Sequence, residues 1–280
     1  MLRYGPADPT IRLGATDCIR ATLTPDGPGT VHLDWSADDL VVEAWGPGAD
    51  WLRRRGSALA GLHAVGHQFI DGHPVVLRAQ RNHPDVRFGA SGTPYHELLA
   101  VVLGQRVTAN EAVTQWRRLV LELGEPAPGP DATLRLPPAP TALSSRPMWW
   151  FHPLGIEQAR ARTLQTVAKH APRLAEWSGL ATEDARTRLT LLPGVGVWTA
   201  ANVLTTSWGD PDAVAVGDYH LANTVVHALT GRPRGTDDEM LELLEPYRGQ
   251  RGRVVRLLQL DGHRAPAFGP RRRIEPNATR

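Results

Sequence analysis

The chain has 280 residues, 41% of them hydrophobic, and its 31 Lys and Arg against 29 Asp and Glu give a formal net charge of +2. That length and apolar share suit one large or two smaller domains with a buried core and exclude a disordered or disulfide-stapled class. A single cysteine, Cys18, excludes an intrachain disulfide and an iron–sulfur cluster held by four thiolates. No apolar run approaches the ~20 residues that cross a bilayer, and residues 1–10 lack a signal-type apolar core, so a soluble, cytoplasmic protein is expected.

Residues 19–77 contain short alternating segments, Thr30-Val31-His32-Leu33-Asp34-Trp35 and Leu40-Val41-Val42-Glu43-Ala44-Trp45, separated by Asp-Gly and Gly-Pro-Gly turns, which predict a small antiparallel sheet. After Phe88 the period changes. Thr93 is placed to cap a helix with Pro94 in its first turn, and residues 95–103 are apolar at helical spacing. A Pro/Gly-rich bridge over 124–140 follows, then helices near 156–170, 183–192, 196–206, 218–229 and 237–244. The fold class is thus mainly α with a β-rich N-terminal layer: a β-rich domain over 1–87, a helical domain over 88–270 and a basic tail over 271–280.

Arginine is the main cation and Lys169 the only lysine. Arg248, Arg251, Arg253, Arg256 and Arg271, Arg272 and Arg273 crowd the C-terminal end. Such a local basic face suits phosphate binding, and equally a solvated helix face with a frayed tail.

The most specific stretch is Leu191-Leu192-Pro193-Gly194-Val195-Gly196-Val197-Trp198-Thr199-Ala200, followed by Val216-Gly217-Asp218-Tyr219-His220. A Pro-Gly-Val-Gly turn that opens an apolar helix offers free amides at a helix N-terminus, where the dipole favours an anion such as a phosphate. Taken alone, the same turn also suits a plain helical hairpin without a ligand. Asp218 stands just before the apolar helical run Leu221, Val225, Ala228 and Leu229, where a carboxylate also serves as an ordinary cap.

Turn and downstream aspartate together resemble the helix-hairpin-helix DNA glycosylases of base-excision repair, and over roughly 95–258 the chain is most similar to bacterial 3-methyladenine DNA glycosylase II. The resemblance implies double-stranded DNA with a damaged base as partner and Asp218 as the catalytic carboxylate, acting as electrostatic stabiliser or as general base. The amides of Gly194, Gly196 and Trp198, the Thr199 hydroxyl and His220 become phosphate contacts. The carbonyls of Thr190, Leu192 and Val195 would cradle a Na+ or K+, with no other cofactor required. Arg106, with Gln105 as a second candidate, stands where the family carries the side chain that fills the vacated base stack; an ordinary surface arginine is the competing reading. Trp198, Tyr219 and Trp150 would offer aromatic faces to a cationic base, although Trp149 and Trp150 suit core packing at least as well.

Lyase members of the superfamily carry a lysine where this chain has Trp198. A Schiff base needs an amine, and only Lys169, on a different predicted helix, or the N-terminal amine could substitute, so a monofunctional hydrolase is expected; the resemblance implies a monomer acting on alkylated purines. Removal of deaminated or oxidised bases, and structure-specific DNA binding without catalysis, are the alternatives. The pair His63 and His67, four residues apart, has no third ligand near it in sequence and is not read as a metal site.

Overall fold

The computed structural model describes residues 3–36, 39–63 and 68–266. The basic tail with Arg271, Arg272 and Arg273, and His67 of the histidine pair, lie outside the described residues.

Strands β1 (Ile11–Leu13), β2 (Asp17–Thr24), β3 (Gly27–Asp34) and β4 (Val41–Trp45) form one antiparallel sheet in sequential order. The two alternating segments become β3 and β4, as their period of two requires. The sheet then stops short of the expected boundary, because residues 49–59 follow the helical period instead. Helix α1 (Ala49–Leu59) buries Leu52, Gly56 and Leu59 on one face. That face packs with Val31, Leu33 and Ala44 of the sheet. Helix α2 (Pro74–Asn82) starts on a proline, and the His73 ring accepts the Val75 amide. Its buried Val76 and Ala79 join a helical core further along the chain, so the first 87 residues do not pack as one unit.

The body that follows is helical. Helix α3 (Pro94–Leu103) is buried along its whole length and lies at the centre of the larger core. Thr93 precedes it as expected, but its hydroxyl donates to Ser91 Oγ rather than capping the helix. Around α3 stand α4 (Ala109–Leu123), the short α5 (Pro140–Ser144), a 3-10 turn (Met148–Leu154), α6 (Gln158–Lys169), α7 (Ala171–Trp177), α8 (Thr182–Thr190) and α9 (Val197–Val203). Helix α9 loosens into a π turn over Leu204–Trp208, a change of hydrogen-bond ladder that no side-chain period announces. A second core unites α2 with α10 (Leu221–Thr230), α11 (Asp237–Leu244) and α12 (Arg251–Leu260). No helix among the described residues is long and apolar enough to cross a membrane.

Sheet and body are joined by buried polar groups. Arg20 of β2 pairs with Glu97 of α3, both inaccessible to solvent, while Thr22 Oγ1 lies 3.0 Å from His96 Nδ1. The His96 ring stacks on Trp116 of α4, whose indole donates to Asp8 at 2.9 Å. Bridge residues Leu134 and Leu136 pack with Ala21 on the sheet.

Candidate active site

Helices α8 and α9, with the turn at 191–196, form the hairpin, and its tip is open to solvent: Gly194 and Gly196 are exposed, as are Leu191 and Val197. At Gly194 φ is +87°, and an added Cβ would stand 2.0 Å from Thr163 Oγ1 of α6, so glycine there is dictated by the chain's own packing. Gly196 differs. Its backbone is extended and a Cβ would meet nothing within 4 Å, so the space in front of it is free for a ligand.

Asp218 lies at the seam between the two helical cores. Oδ1 accepts the amides of His220 and Leu221, at 2.9 and 3.0 Å, in the first turn of α10. Oδ2 accepts the indole N–H of Trp198 on α9 at 3.0 Å. The preceding residue is fixed too, since the Gly217 amide donates to Asp237 of α11 at 3.0 Å. The cap and the hairpin contact are therefore one arrangement: a half-buried carboxylate, its two oxygens held by three donors, fixed beside the turn that offers free amides.

Trp198 does more than donate this bond. Its ring reaches back over the end of α3, where a methyl group on Gly104 would stand 3.4 Å from it. The next residue, Gln105, donates from Nε2 to the Gly194 carbonyl and to Thr199 Oγ1, both at 2.9 Å. This places Gln105 as a brace of the hairpin rather than a free side chain that enters DNA. It also engages the Thr199 hydroxyl, on a residue only 2% exposed, so Thr199 stiffens the turn and does not face an incoming phosphate. Arg106 is exposed, makes no hydrogen bond or ion pair among the described residues, and is the one non-glycine residue there with positive φ, +58°.

Tyr219 is 84% exposed with its ring edge against His220, and Trp150 packs on Phe151 under the Arg146 guanidinium. Trp150 belongs to a 3-10 turn anchored in the core by Phe151. Clefts of about 340 and 280 Å3 lie elsewhere, beside Phe69 and Tyr247 and beside Phe88, Trp208 and Arg253. His220 is exposed next to Asp218. Among the described residues no hydrogen bond ends on the carbonyls of Thr190 or Val195, whereas that of Leu192 accepts the Val195 amide at 2.9 Å. Three carbonyl oxygens at one turn are a donor set that fits a hard monovalent cation.

One buried residue at this site is absent from the sequence reading. Arg160 of α6 donates to the Leu103 carbonyl at 2.9 Å, holding the C-terminal end of α3 where the loop of Gln105 and Arg106 begins. A pair 57 residues apart leaves no local pattern in the sequence.

No protein-family model matches the sequence. A curated relative in Mycobacterium tuberculosis, "Probable bifunctional transcriptional activator/DNA repair enzyme AlkA", is 35% identical over 124 residues, which are 43% of this chain. The matched region spans 24% of that relative's length. Among solved structures, the 3-methyladenine DNA-glycosylase from Archaeoglobus fulgidus superposes with a TM-score of 0.75 at 18% identity over 93% of each chain. The fold is that of the helix-hairpin-helix DNA glycosylases. An 8-oxoguanine glycosylase/lyase of Clostridium acetobutylicum, bound to double-stranded DNA with cytosine opposite 8-oxoguanine, gives 0.67 at 13% identity over 90% of this chain and 87% of that one. The 3-methyladenine DNA glycosylase of Schizosaccharomyces pombe with abasic DNA gives 0.56 at 18% identity over 72% and 92%. In this glycosylase fold the hairpin, Asp218 and the loop of Gln105 and Arg106 stand together, although Gln105 and Asp218 are far apart in sequence.

Proposed function

We propose that the chain is a monofunctional DNA glycosylase that turns an alkylated purine out of double-stranded DNA and hydrolyses its N-glycosidic bond, leaving an abasic site. The reading rests on one observation: the Asp218 carboxylate fixed by Trp198 at the side of an exposed glycine turn. Cleavage builds positive charge on the deoxyribose as the base departs, and an anion facing the sugar stabilises that charge more than the ground state. Two unit charges about 4 Å apart at an effective dielectric near ~20 interact by about 4 kcal/mol, roughly a thousandfold in rate.

The C1′–N bond breaks with its electron pair leaving on the base, which neutralises an already cationic alkylated purine. Water then supplies the oxygen to C1′ and loses a proton. Asp218 orients that water or receives the proton. The amides of Gly194, Gly196 and Trp198, with His220, hold phosphates without reading sequence, and Arg106 fills the vacated stack. The carbonyls of Thr190, Leu192 and Val195 would hold a Na+ or K+, which would stiffen the turn. The enzyme acts alone as a monomer in the cytoplasm.

The monofunctional reading is supported by Trp198, where lyase members carry a lysine, and by Lys169 standing exposed at the end of α6, which leaves the N-terminal amine as the other amine to test. The test is a set of duplexes, each with one 3-methyladenine, 7-methylguanine, hypoxanthine or 8-oxoguanine, incubated with protein and developed with and without alkali. Release of alkylated purines, with strand breaks only after alkali and no borohydride-trapped complex, is the expected result. Release of one neutral lesion alone would move the specificity to deaminated or oxidised bases. No release from any duplex, with abasic DNA still bound, would leave a non-catalytic DNA-binding protein.

A further inference from the structure

Gln105 links two parts of the proposed DNA interface that the sequence keeps far apart. Its single amide nitrogen donates to the Gly194 carbonyl at the hairpin tip and to Thr199 Oγ1 in the first turn of α9. On the preceding side, Arg160 holds the Leu103 carbonyl and Gly104 rests against the Trp198 ring. On the following side stands Arg106, exposed and in the left-handed region, a conformation that costs a non-glycine residue about 1 kcal/mol or more and persists only where its neighbours impose it.

We infer that Gln105 is a positioning residue: it locks the loop that presents Arg106 to the phosphate-gripping hairpin, so that seating the hairpin on a strand sets the depth at which Arg106 enters the base stack. This rests on the glycosylase reading given above. The geometry is one-directional. The Gln105 side chain points at the hairpin and cannot itself fill a gap in DNA while both bonds are made; Arg106, one residue on, faces solvent with no partner among the described residues to release. Loss of the amide frees the loop without removing any group that touches phosphate.

The test uses Gln105→Met, which keeps the length and apolar packing of the side chain but has no donor, alongside Arg106→Ala and the double variant. Affinities are measured for an undamaged duplex and for the same duplex with an abasic-site analogue. Gln105→Met is expected to weaken abasic-site binding roughly tenfold, the order of two lost neutral hydrogen bonds, and to weaken undamaged-duplex binding, which the braced hairpin carries, by a clearly smaller factor. In the double variant the two losses should not add, since Gln105 acts through Arg106. Additive losses, an equal loss on both duplexes, or a Gln105→Met protein that discriminates like the parent would each overturn the inference. The measurement needs no turnover, so it stands apart from the glycosylase reading: a parent protein that releases no base but prefers abasic DNA defeats that reading alone, and one that does not distinguish the two duplexes defeats both.

Discussion

The indole N–H of Trp198 and the Oδ2 of Asp218, 3.0 Å apart, join the hairpin helix to the loop before α10 and so tie one helical core to the other. This bond orients the carboxylate whose other oxygen already caps a helix. Trp198→Phe keeps an aromatic ring in α9 but deletes the donor together with the far ring carbon that faces Gly104. One hydrogen bond to a charged group contributes about 1.5–3 kcal/mol, so the single-turnover rate of base release is expected to fall roughly tenfold or more, and the melting temperature to fall by about a few degrees. A rate equal to the parent's would show that the indole bond does not hold the carboxylate in its working position.

Replacing the carboxylate itself separates charge from shape. In Asp218→Asn the side chain has one acceptor oxygen instead of two, so it serves either the His220 and Leu221 amides or Trp198, but not all three. A stability loss of about 1 kcal/mol is expected, whereas base release should fall by about a thousandfold. Binding to abasic DNA should survive, because a negative charge near the phosphate backbone has been removed. Turnover retained at the parent level would take Asp218 out of the mechanism.

The buried contact of α3 with the sheet gives a prediction in pH. Burial, together with the Arg20 charge beside it, pushes the His96 imidazole down to about 3, against about 6.5 in an unfolded chain. Above the unfolded value neither state binds the proton and the full stability is present. As pH falls below about 6.5 the unfolded chain takes up the proton and the folded one does not, so stability declines by up to about 1.4 kcal/mol per pH unit towards the folded value. His96→Gln removes this titration. Urea unfolding at several pH values between about 7 and 4.5 should give a less stable variant at neutral pH whose stability declines more slowly, by about one proton's slope. Parallel slopes for the two proteins would mean that His96 is protonated in the folded state.

These residues also show what was legible beforehand. Gly194, Gly196, Trp198 and Asp218 were readable because a turn and a cap are local chemistry: a few neighbouring residues carry the backbone conformation and the free amides with them. Strands β3 and β4 were readable for the same reason, through their period of two. Gln105 was not, since its partners lie 89 and 94 residues away, and an amide looks alike whether it braces a turn or enters DNA. Helix α1 was hidden by position: its Leu52, Gly56 and Leu59 stripe is helical, yet it directly follows strands and packs on them. Trp150 and Tyr219 could be named as aromatic but not placed, because only the packing of Phe151 and the solvent around Tyr219 decide which ring is free.

The two turn glycines should fail differently when each is given a methyl group. Gly194→Ala demands a left-handed backbone from alanine, at about 1–2 kcal/mol, and drives Cβ to 2.0 Å from Thr163 Oγ1, so the hairpin must shift on α6. A loss of several kcal/mol in unfolding free energy and weakened DNA binding are both expected, and Thr163→Ala should restore part of the stability by removing the clashing hydroxyl but not the backbone strain. Gly196→Ala meets no atom within 4 Å and adopts an extended backbone open to any residue, so its unfolding curve should overlay the parent's within about 0.5 kcal/mol. What it changes is the approach of a phosphate to the amides at the start of α9, and affinity for any duplex, damaged or not, should drop by about tenfold as a phosphate contact is lost. Equal affinities for parent and Gly196→Ala would mean that the strand passes this turn at a distance, and the hairpin would then have to hold DNA through other groups.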